Sequence, residues 1–351
     1  MPKYYYELAG AEQKDVFVQL VKENFSQKAA DIRETIWDWG LTDNPASATL
    51  AGEVILLKKE QEVIGAAYMM PFQIKNGEVT EIGYWTCGIS VKQKYRGRGT
   101  IIIRYVSPHD ILYMGFPFDK ILPIYFRRGA GVITKTEQCF CLINVGCWLA
   151  RKHPKIRPIS GILNSGWSVI NKALIRNTPK GDFTVHRIEH FNEQFDEFWQ
   201  RASSKYSTLV IRDSSYLNWR FFQCPLHRYD VLAIFKSDML AGYVVYRIAD
   251  INGQKTGIIV DLLVEYGDTH CFEHLLAYAR DALKKQQVDI ITMMKSIDTT
   301  WIESSLRRQG FRFKKPHLAM IAGSQHYKRI KAGFLNTKGW VTFSDSDNDL
   351  F

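Results

Sequence analysis

The chain has 351 residues, enough for two typical cores, and its 46% hydrophobic and 23% charged residues exclude long disorder. No apolar run approaches the length of a membrane helix, and the start MPKYYYELAGAEQKD lacks the apolar stretch of a signal peptide, so the sequence predicts no membrane span and a cytoplasmic location. The net charge of +10 favours an anionic partner, but the basic residues are scattered, and the densest piece, RKHPKIRP (Arg151 to Pro158), reads as a solvated linker rather than a nucleic-acid patch.

In chain order, an amphipathic helix is predicted over Asp15 to Glu23, followed by a segment holding Trp39 and Pro45. Three hairpin-linked strands follow, near 53–58, 62–72 and 79–91, with Asn76-Gly77, the strongest short hairpin signal, between the last two. Next comes KYRGRGT, Lys94 to Thr100, directly after the apolar run Cys87 to Val91. Its glycines permit positive φ and let backbone N–H groups approach an anion closely. A helix opening here would add its positive end. The residues that follow, TIIIRYVSPHDIL, are rich in β-branched side chains and contain Pro108, so that helix is expected to be short or missing. The loop therefore reads as a phosphate cradle or as an arginine-rich surface turn. A strand near 111–117, a short helix near 119–128 and a closing strand near 133–145 complete the first half.

Residues 150–182 read as a linker with one bridging helix, ISGILNSGWSVINKAL. The second half opens with a helix over Asn192 to Ala202 and a Trp219…Pro225 segment. Strands are predicted near 230–236, 240–249 and 256–264, then a helix over His270 to Gln287 with apolar residues at helical spacing. A strand near 289–294, a short helix ending near Gly310 and a final strand near 311–321 follow. The Asp-rich tail GWVTFSDSDNDLF lacks the calcium-loop pattern and reads as a surface cap or a docking strand. The cysteines form no C-x-x-C pair, and no four convergent zinc ligands can be assembled. Buried free thiols and no metal are expected.

The halves echo each other. Trp39 and Trp219 are 180 residues apart, Gly65 and Gly242 are 177 apart, and the two Asn-Gly turns are 176 apart. Tyr125-Phe-Arg-Arg-Gly129 resembles Leu306-Arg-Arg-Gln-Gly310. The sequence thus predicts two copies of one α/β (α+β) unit, residues 1–149 and 183–325, joined by 150–182 and followed by a tail over 326–351. Each unit is expected to carry a mixed, largely antiparallel sheet flanked by helices.

Helix, antiparallel strands, then strand, Gly-loop, helix, strand, helix and strand is the order of the GNAT acyltransferases. Lys94-Tyr95-Arg96-Gly97-Arg98-Gly99 resembles their cofactor signature, with Lys in the first place. The Trp/Pro segment, linker and tail resemble the tandem GNAT proteins encoded with bacterial exopolysaccharide genes. The resemblance implies acetyl-CoA as co-substrate, with Ile89 and Val91 along the pantetheine arm and Lys94, Arg96, Gly97, Arg98, Gly99 and Thr100 at the pyrophosphate. It implies that Tyr125, four residues before Gly129, protonates the departing thiolate; the alternative is a packed aromatic. Glu81 is the candidate general base; the alternative is an exposed hairpin residue. His109 and Asp110 lie near the cofactor loop. The second copy has Leu306 in place of the Tyr and Val264-Glu265-Tyr266-Gly267-Asp268-Thr269 in place of the loop, carboxylates that would repel a pyrophosphate.

The leading expectation is an acetyl-CoA-dependent N-acyltransferase acting on a small-molecule amine, an amino sugar or its nucleotide conjugate being the candidate, with the first copy catalytic. One alternative is an aminoacyl-tRNA-using transferase of the peptidoglycan-branching type, whose partner the basic balance would suit. Another is a non-catalytic module of the same fold. The sequence leaves the oligomeric state open.

Overall fold

Tight turns set the hairpins. Asn252 and Gly253 both take positive φ, 53° and 74°, as a two-residue turn matched to the strand twist requires. Ser237 and Asp238 do the same at 47° and 64°. The computed structural model describes residues 4–106, 110–174, 182–314, 318–323, 325–335 and 338–350.

The first half runs β1 (Tyr4–Ala9), α1 (Lys14–Asn24), α2 (Gln27–Thr35), α3 (Trp37–Leu41), β2 (Glu53–Lys59), β3 (Glu62–Asn76), β4 (Val79–Val91), α4 (Thr100–Val106), β5 (Leu112–Gly115), α5 (Leu122–Phe126) and β6 (Gly131–Leu142). The link forms α6 (Val145–Lys152) and α7 (Ser160–Leu174). The second half runs β7 (Phe183–Ile188), α8 (Glu193–Ser203), β8 (Thr208–Val210), α9 (Ser214–Leu217), β9 (Asp230–Lys236), β10 (Met239–Ile251), β11 (Gln254–Val264), α10 (Thr269–Lys285), β12 (Ile290–Ser296), α11 (Glu303–Arg308), β13 (Arg312–Phe313), β14 (Ala319–Ala322) and α12 (Tyr327–Leu335).

The strands form one 14-stranded sheet in which twelve follow the order β1-β2-β3-β4-β5-β14-β6-β12-β11-β10-β9-β7, while β8 pairs with β3 and β13 with β6 off this path. Among the described strands, β4 with β5 and β11 with β12 pair in parallel and the other strand pairs are antiparallel. The halves exchange their closing strands. β6 leaves β5 and pairs with β12 from Leu142↔Ile290 to Thr136↔Ser296, while β14 inserts between β5 and β6. Within the final strand expected over 311–321 the described residues form β13 and β14, both paired with β6 of the first half, and β14 pairs with β5 as well.

The helix expected to be short or missing after the Gly-loop is present and short. Ile102, Ile103 and Val106 of α4 are 0–4% exposed against the sheet, and that burial outweighs the weak helix preference of β-branched residues. Two core clusters occupy the two faces of the first-half sheet. Phe17, Leu20, Trp37, Trp85 and Met114 belong to the cluster under α1–α3 that continues into the second half. Tyr84, Ile102, Tyr113, Tyr125 and Ile321 form the other, under α4 and α5. Among the described residues no helix is long and apolar enough to cross a membrane. The six cysteines are free thiols, five of them buried.

Trp39 and Trp219, 180 residues apart in the sequence, meet face to face. Their rings stack at 4.4 Å and 13°, and each indole N–H donates to the other's carbonyl, at 3.0 and 2.8 Å. Trp39→Phe keeps an aromatic ring but leaves the Trp219 carbonyl buried without its donor. It is expected to lose about 1–3 kcal/mol of stability in urea unfolding.

The tail corrects one expectation: it is no surface cap. It docks along β8 through Ser207 N–H to Lys338 O, 2.9 Å, and Trp340 N–H to Thr208 O, 3.0 Å. Trp340, Val341, Asp345, Asp349 and Leu350 are then nearly fully buried. The aspartates enter because each finds an arginine. Asp345 pairs with Arg212, Asp347 with Arg33 and Asp349 with Arg220, and such partners are what makes buried carboxylates tolerable.

Candidate functional site

β4 and β5 pair only from Gly83↔Leu112 to Trp85↔Met114. Beyond that point β5 ends, while β4 continues to Val91 with β3 on one side only. The outer edge of β4 from Thr86 onward is therefore open. Its ladder to β3 is interrupted there by an extra residue, between Met69↔Thr86 and Ala67↔Ile89. Gly88 takes φ +85° within that bulge, a conformation that favours glycine. Bulges re-aim strands in this way beside functional sites.

Cavities on the two faces of the sheet both reach Thr86 at this point. On the α4/α5 face lies a narrow cavity walled by Thr86, Val106, Tyr113, Tyr125 and Ile321. On the α1/α2 face lies a cavity of about 380 Å³ that also reaches Thr86 and Gly88. Tyr125 is 7% exposed, and burial pushes its phenol well above the usual value, so it stays protonated at neutral pH. Cys87, on the bulge, is fully buried, which pushes its thiol far up as well. It is a neutral thiol and no nucleophile.

The loop sits where β4 runs out. Gly97 takes φ +88° with open space beyond it. Gly99 faces the strand: a Cβ there would lie 3.3 Å from Val91 and 3.5 Å from Ile89. Among the described residues the N–H groups of Gly97 and Gly99 have no hydrogen-bond partner, whereas those of Arg98, Ile101 and Ile102 are taken by the loop and first helical turn. The Thr100 hydroxyl donates to Gly97 O at 3.0 Å. The cations differ in availability. Lys94 is held by Glu62 at 3.1 Å and Arg98 lies over the Tyr4 ring at 4.6 Å. Arg96 is exposed and paired with no carboxylate among the described residues. Glu62 also accepts from Lys92 and Tyr95, at 3.0 and 2.8 Å. Lys92 first, then Tyr95 and Lys94, hold its carboxyl down at about 2.

The structure thus brings Ile89, Val91, Arg96, Gly97, Gly99, Thr100 and Tyr125 around one opening. It does not bring Glu81 there. Glu81 lies five residues before Thr86, roughly 16 Å along the strand. It is tied to Arg329 of α12 and to Asn76 Nδ2, the latter at 2.9 Å. The hairpin end of β4 is covered by α12, so Glu81 serves an ion pair rather than the opening. His109 lies outside the described residues, and Asp110 offers its backbone carbonyl to His326 Nε2 at 2.8 Å.

Sequence reasoning missed Arg33 and Asp347. Arg33 Nη2 and Asp347 Oδ2 are 2.6 Å apart, and Arg33 Nη2 lies 3.3 Å from where a Cβ of Gly88 would be. The pair therefore stands directly at the bulge. One signal existed: Arg33 and Arg212 are 179 residues apart, close to the offset of the tryptophans.

The second half repeats the opening and fills it. β11 and β12 pair only from Thr256↔Ile290 to Ile259↔Met293, and β11 bulges between Ile259 and Asp261. The carbonyl between them, Val260 O, accepts Ser344 N–H of the tail at 3.1 Å. Arg212, Asp261, Thr342 and Asp345 close around this point. The α10 N-terminus is capped by its own Asp268, which accepts from Cys271 N–H at 2.9 Å. Glu265 is engaged by Lys205 and Arg201. Among the described residues no cluster could hold a metal ion.

No protein-family model matches this sequence, and no curated protein does. Solved structures do match in shape. A probable N-acyltransferase of Enterococcus faecalis superposes with a TM-score of 0.64 at 14% identity, over 91% of this chain and 72% of that one. A GCN5-related N-acetyltransferase of Anabaena variabilis gives 0.61 at 14% identity, over 91% and 72%. N-myristoyltransferase of Saccharomyces cerevisiae with bound myristoyl-CoA gives 0.53 at 12% identity, over 92% and 79%. Over nine-tenths of its length, then, this chain has the fold of the GCN5-related N-acetyltransferases (GNAT).

Proposed function

We propose that the chain is an acyl-CoA-dependent N-acyltransferase, with acetyl-CoA as donor and an amine as acceptor. The observation that carries the reading is the β4 edge, open among the described residues, beside a loop in which, among those residues, two amides lack a hydrogen-bond partner and Arg96 pairs with no carboxylate. An extended pantetheine arm can pair along Cys87 to Val91 as a strand would. The Gly97 and Gly99 N–H groups and Arg96 can meet its pyrophosphate. The thioester then lies at the Thr86–Gly88 gap, with Tyr125 on one face of the sheet and the larger cavity on the other.

The chemistry needs positioning and two proton movements. The neutral amine nitrogen attacks the thioester carbon. An N–C bond forms and the C–S bond breaks. The nitrogen gives up its proton to solvent water, and the sulfur receives one from Tyr125, which is re-protonated from solvent, so that protons balance. Amide and free thiol leave.

We read the chain as two related units, 1–149 and 183–325, of which the first is catalytic. The matched bulges and the reciprocal tryptophans support the repeat. The tail in the second opening supports a non-catalytic second unit, because the carbonyl that an arm would need there is already bonded to Ser344.

Calorimetric titration of acetyl-CoA tests the reading. Micromolar binding is expected for the wild type. Gly99→Glu adds a carboxylate against Ile89 and Val91 at the anion site, and Gly97→Glu adds both charge and backbone strain. Each is expected to weaken binding at least a hundredfold. A wild type that binds no acetyl-CoA sinks the proposal.

A further inference from the structure

We infer that the acceptor is a small primary amine carrying an apolar group, an aryl or branched alkyl amine, held in the cavity on the α1/α2 face. The direction of attack rests on the donor site proposed above. The class of ligand rests on the cavity itself.

Its volume of about 380 Å³ suits one small molecule. Its walls are apolar: Val21 and Phe25 from the α1 end, Phe116 and Phe118 after β5, and Leu318 before β14. Phe25 is 62% and Phe118 is 73% exposed, two large hydrophobic rings left in water at the rim. Such pairs mark surfaces that gain by being covered. Phe116 is fixed beneath them by stacking on Trp85 at 5.8 Å.

The polar lining is gathered along β4 and the tail: Thr86 and Ser90 on the strand, and Arg33, Ser346, Asp347 and Asn348 beside Gly88. Asp347 is the one carboxylate among the described lining residues. It accepts from Arg33 Nη2 at 2.6 Å and from Ser346 Oγ at 3.1 Å. Each of its oxygens keeps a second lone pair, so it can accept an amine N–H as well. An amine lodged there points its nitrogen at the gap where the thioester lies.

An amino sugar fits this cavity badly. Its ring hydroxyls need partners on every side, and the helix and post-β5 walls offer phenylalanine, valine, alanine and leucine, while the Ser90 hydroxyl is already engaged by Leu20 O and Asn24. Hydroxyls stripped of water without a partner weaken binding. An aryl or alkyl group meets the same walls with no such loss.

The test is a set of calorimetric titrations with phenethylamine and glucosamine, with and without coenzyme A, and a separate titration with acetyl-CoA. Phenethylamine is expected to bind at least tenfold more tightly than glucosamine. Phe25→Ser/Phe118→Ser changes two exposed side chains and so leaves the fold intact. It is expected to weaken phenethylamine binding at least fivefold and to leave acetyl-CoA binding unchanged. Glucosamine binding as tightly as phenethylamine, no phenethylamine binding, or indifference to the double substitution overturns the inference. Acetyl-CoA binding without phenethylamine binding removes this inference alone. Phenethylamine binding without acetyl-CoA binding removes the donor site and leaves the ligand class standing.

Discussion

Arg212→Met is expected to cost about 3–5 kcal/mol of folding stability near neutral pH. Arg212 is 1% exposed. Its guanidinium bonds Asp261 Oδ2 and Asp345 Oδ1, both at 3.0 Å, and Val210 O at 2.9 Å. Both carboxylates are also buried, and both touch Thr342: its hydroxyl donates to Asp261 at 2.9 Å and its N–H to Asp345 at 2.8 Å. Methionine fills the space and removes the cation that bridges the two acids. The contrast is Lys58 with Glu7 at the surface, 2.6 Å apart and partly exposed, where loss of the pair is worth about 0–1 kcal/mol. The pH dependence has a definite sign. Burial already raises the Asp345 carboxyl, and Arg212 is the main opposing influence. Without Arg212 the folded-state value rises further above the unfolded one. The folded variant then holds protons that the unfolded chain has released, so its stability falls as pH rises above the ordinary carboxylate range. The deficit should be largest at pH 7–8 and shrink toward pH 4, as the Asp345 carboxyl is protonated. Urea unfolding at the two pH values measures it. A deficit below about 1 kcal/mol, or one that ignores pH, would show that the tail does not depend on its cation.

What the sequence revealed and what it hid divide along chain distance. The hairpins were legible because alternation and the Asn252-Gly253 turn act within a few residues. The α10 helix was legible because its buried face repeats at helical spacing. Tyr125 and the Gly-loop could be singled out because each motif is contiguous. The exchange of β6 and β14 left no local trace, since both strands read the same whichever neighbour they pair with. The tail was hidden for a related reason: Asp347 meets Arg33 across 314 residues of chain, and Asp345 meets Arg212 across 133. An aspartate run with no visible partner reads as solvated. Glu81 was placed on its strand correctly, but nothing local says that α12 supplies Arg329 to it. For α4, the isoleucine run argued against a helix on propensity alone, and only the sheet beneath reverses that preference.

Tyr125→Phe is expected to lower kcat about 10²–10⁴-fold while leaving the acetyl-CoA Kd unchanged. The phenol stands in the wall of the narrow cavity beside Thr86, on the face opposite the acceptor. Phenylalanine keeps the ring, so the packing against Val106 and Ile321 survives. What disappears is the phenol that this reading assigns to protonate the departing sulfur; the Tyr113 phenol and Thr86 hydroxyl in the same cavity remain. A thiolate expelled without a proton is a poorer leaving group, and the tetrahedral adduct returns to thioester more often than it collapses to amide. Burial favours this role, because it pushes the phenol well above its ordinary value and keeps it protonated through the range in which the amine is neutral. Tyr125 should therefore leave no descending limb in the rate profile up to about pH 9. Initial rates with phenethylamine and a thiol-reactive dye, at saturating acetyl-CoA, measure both effects. If kcat falls less than threefold, the proton reaches sulfur from elsewhere. Tyr125 is then a packing residue, as its place in the α4/α5 cluster also allows.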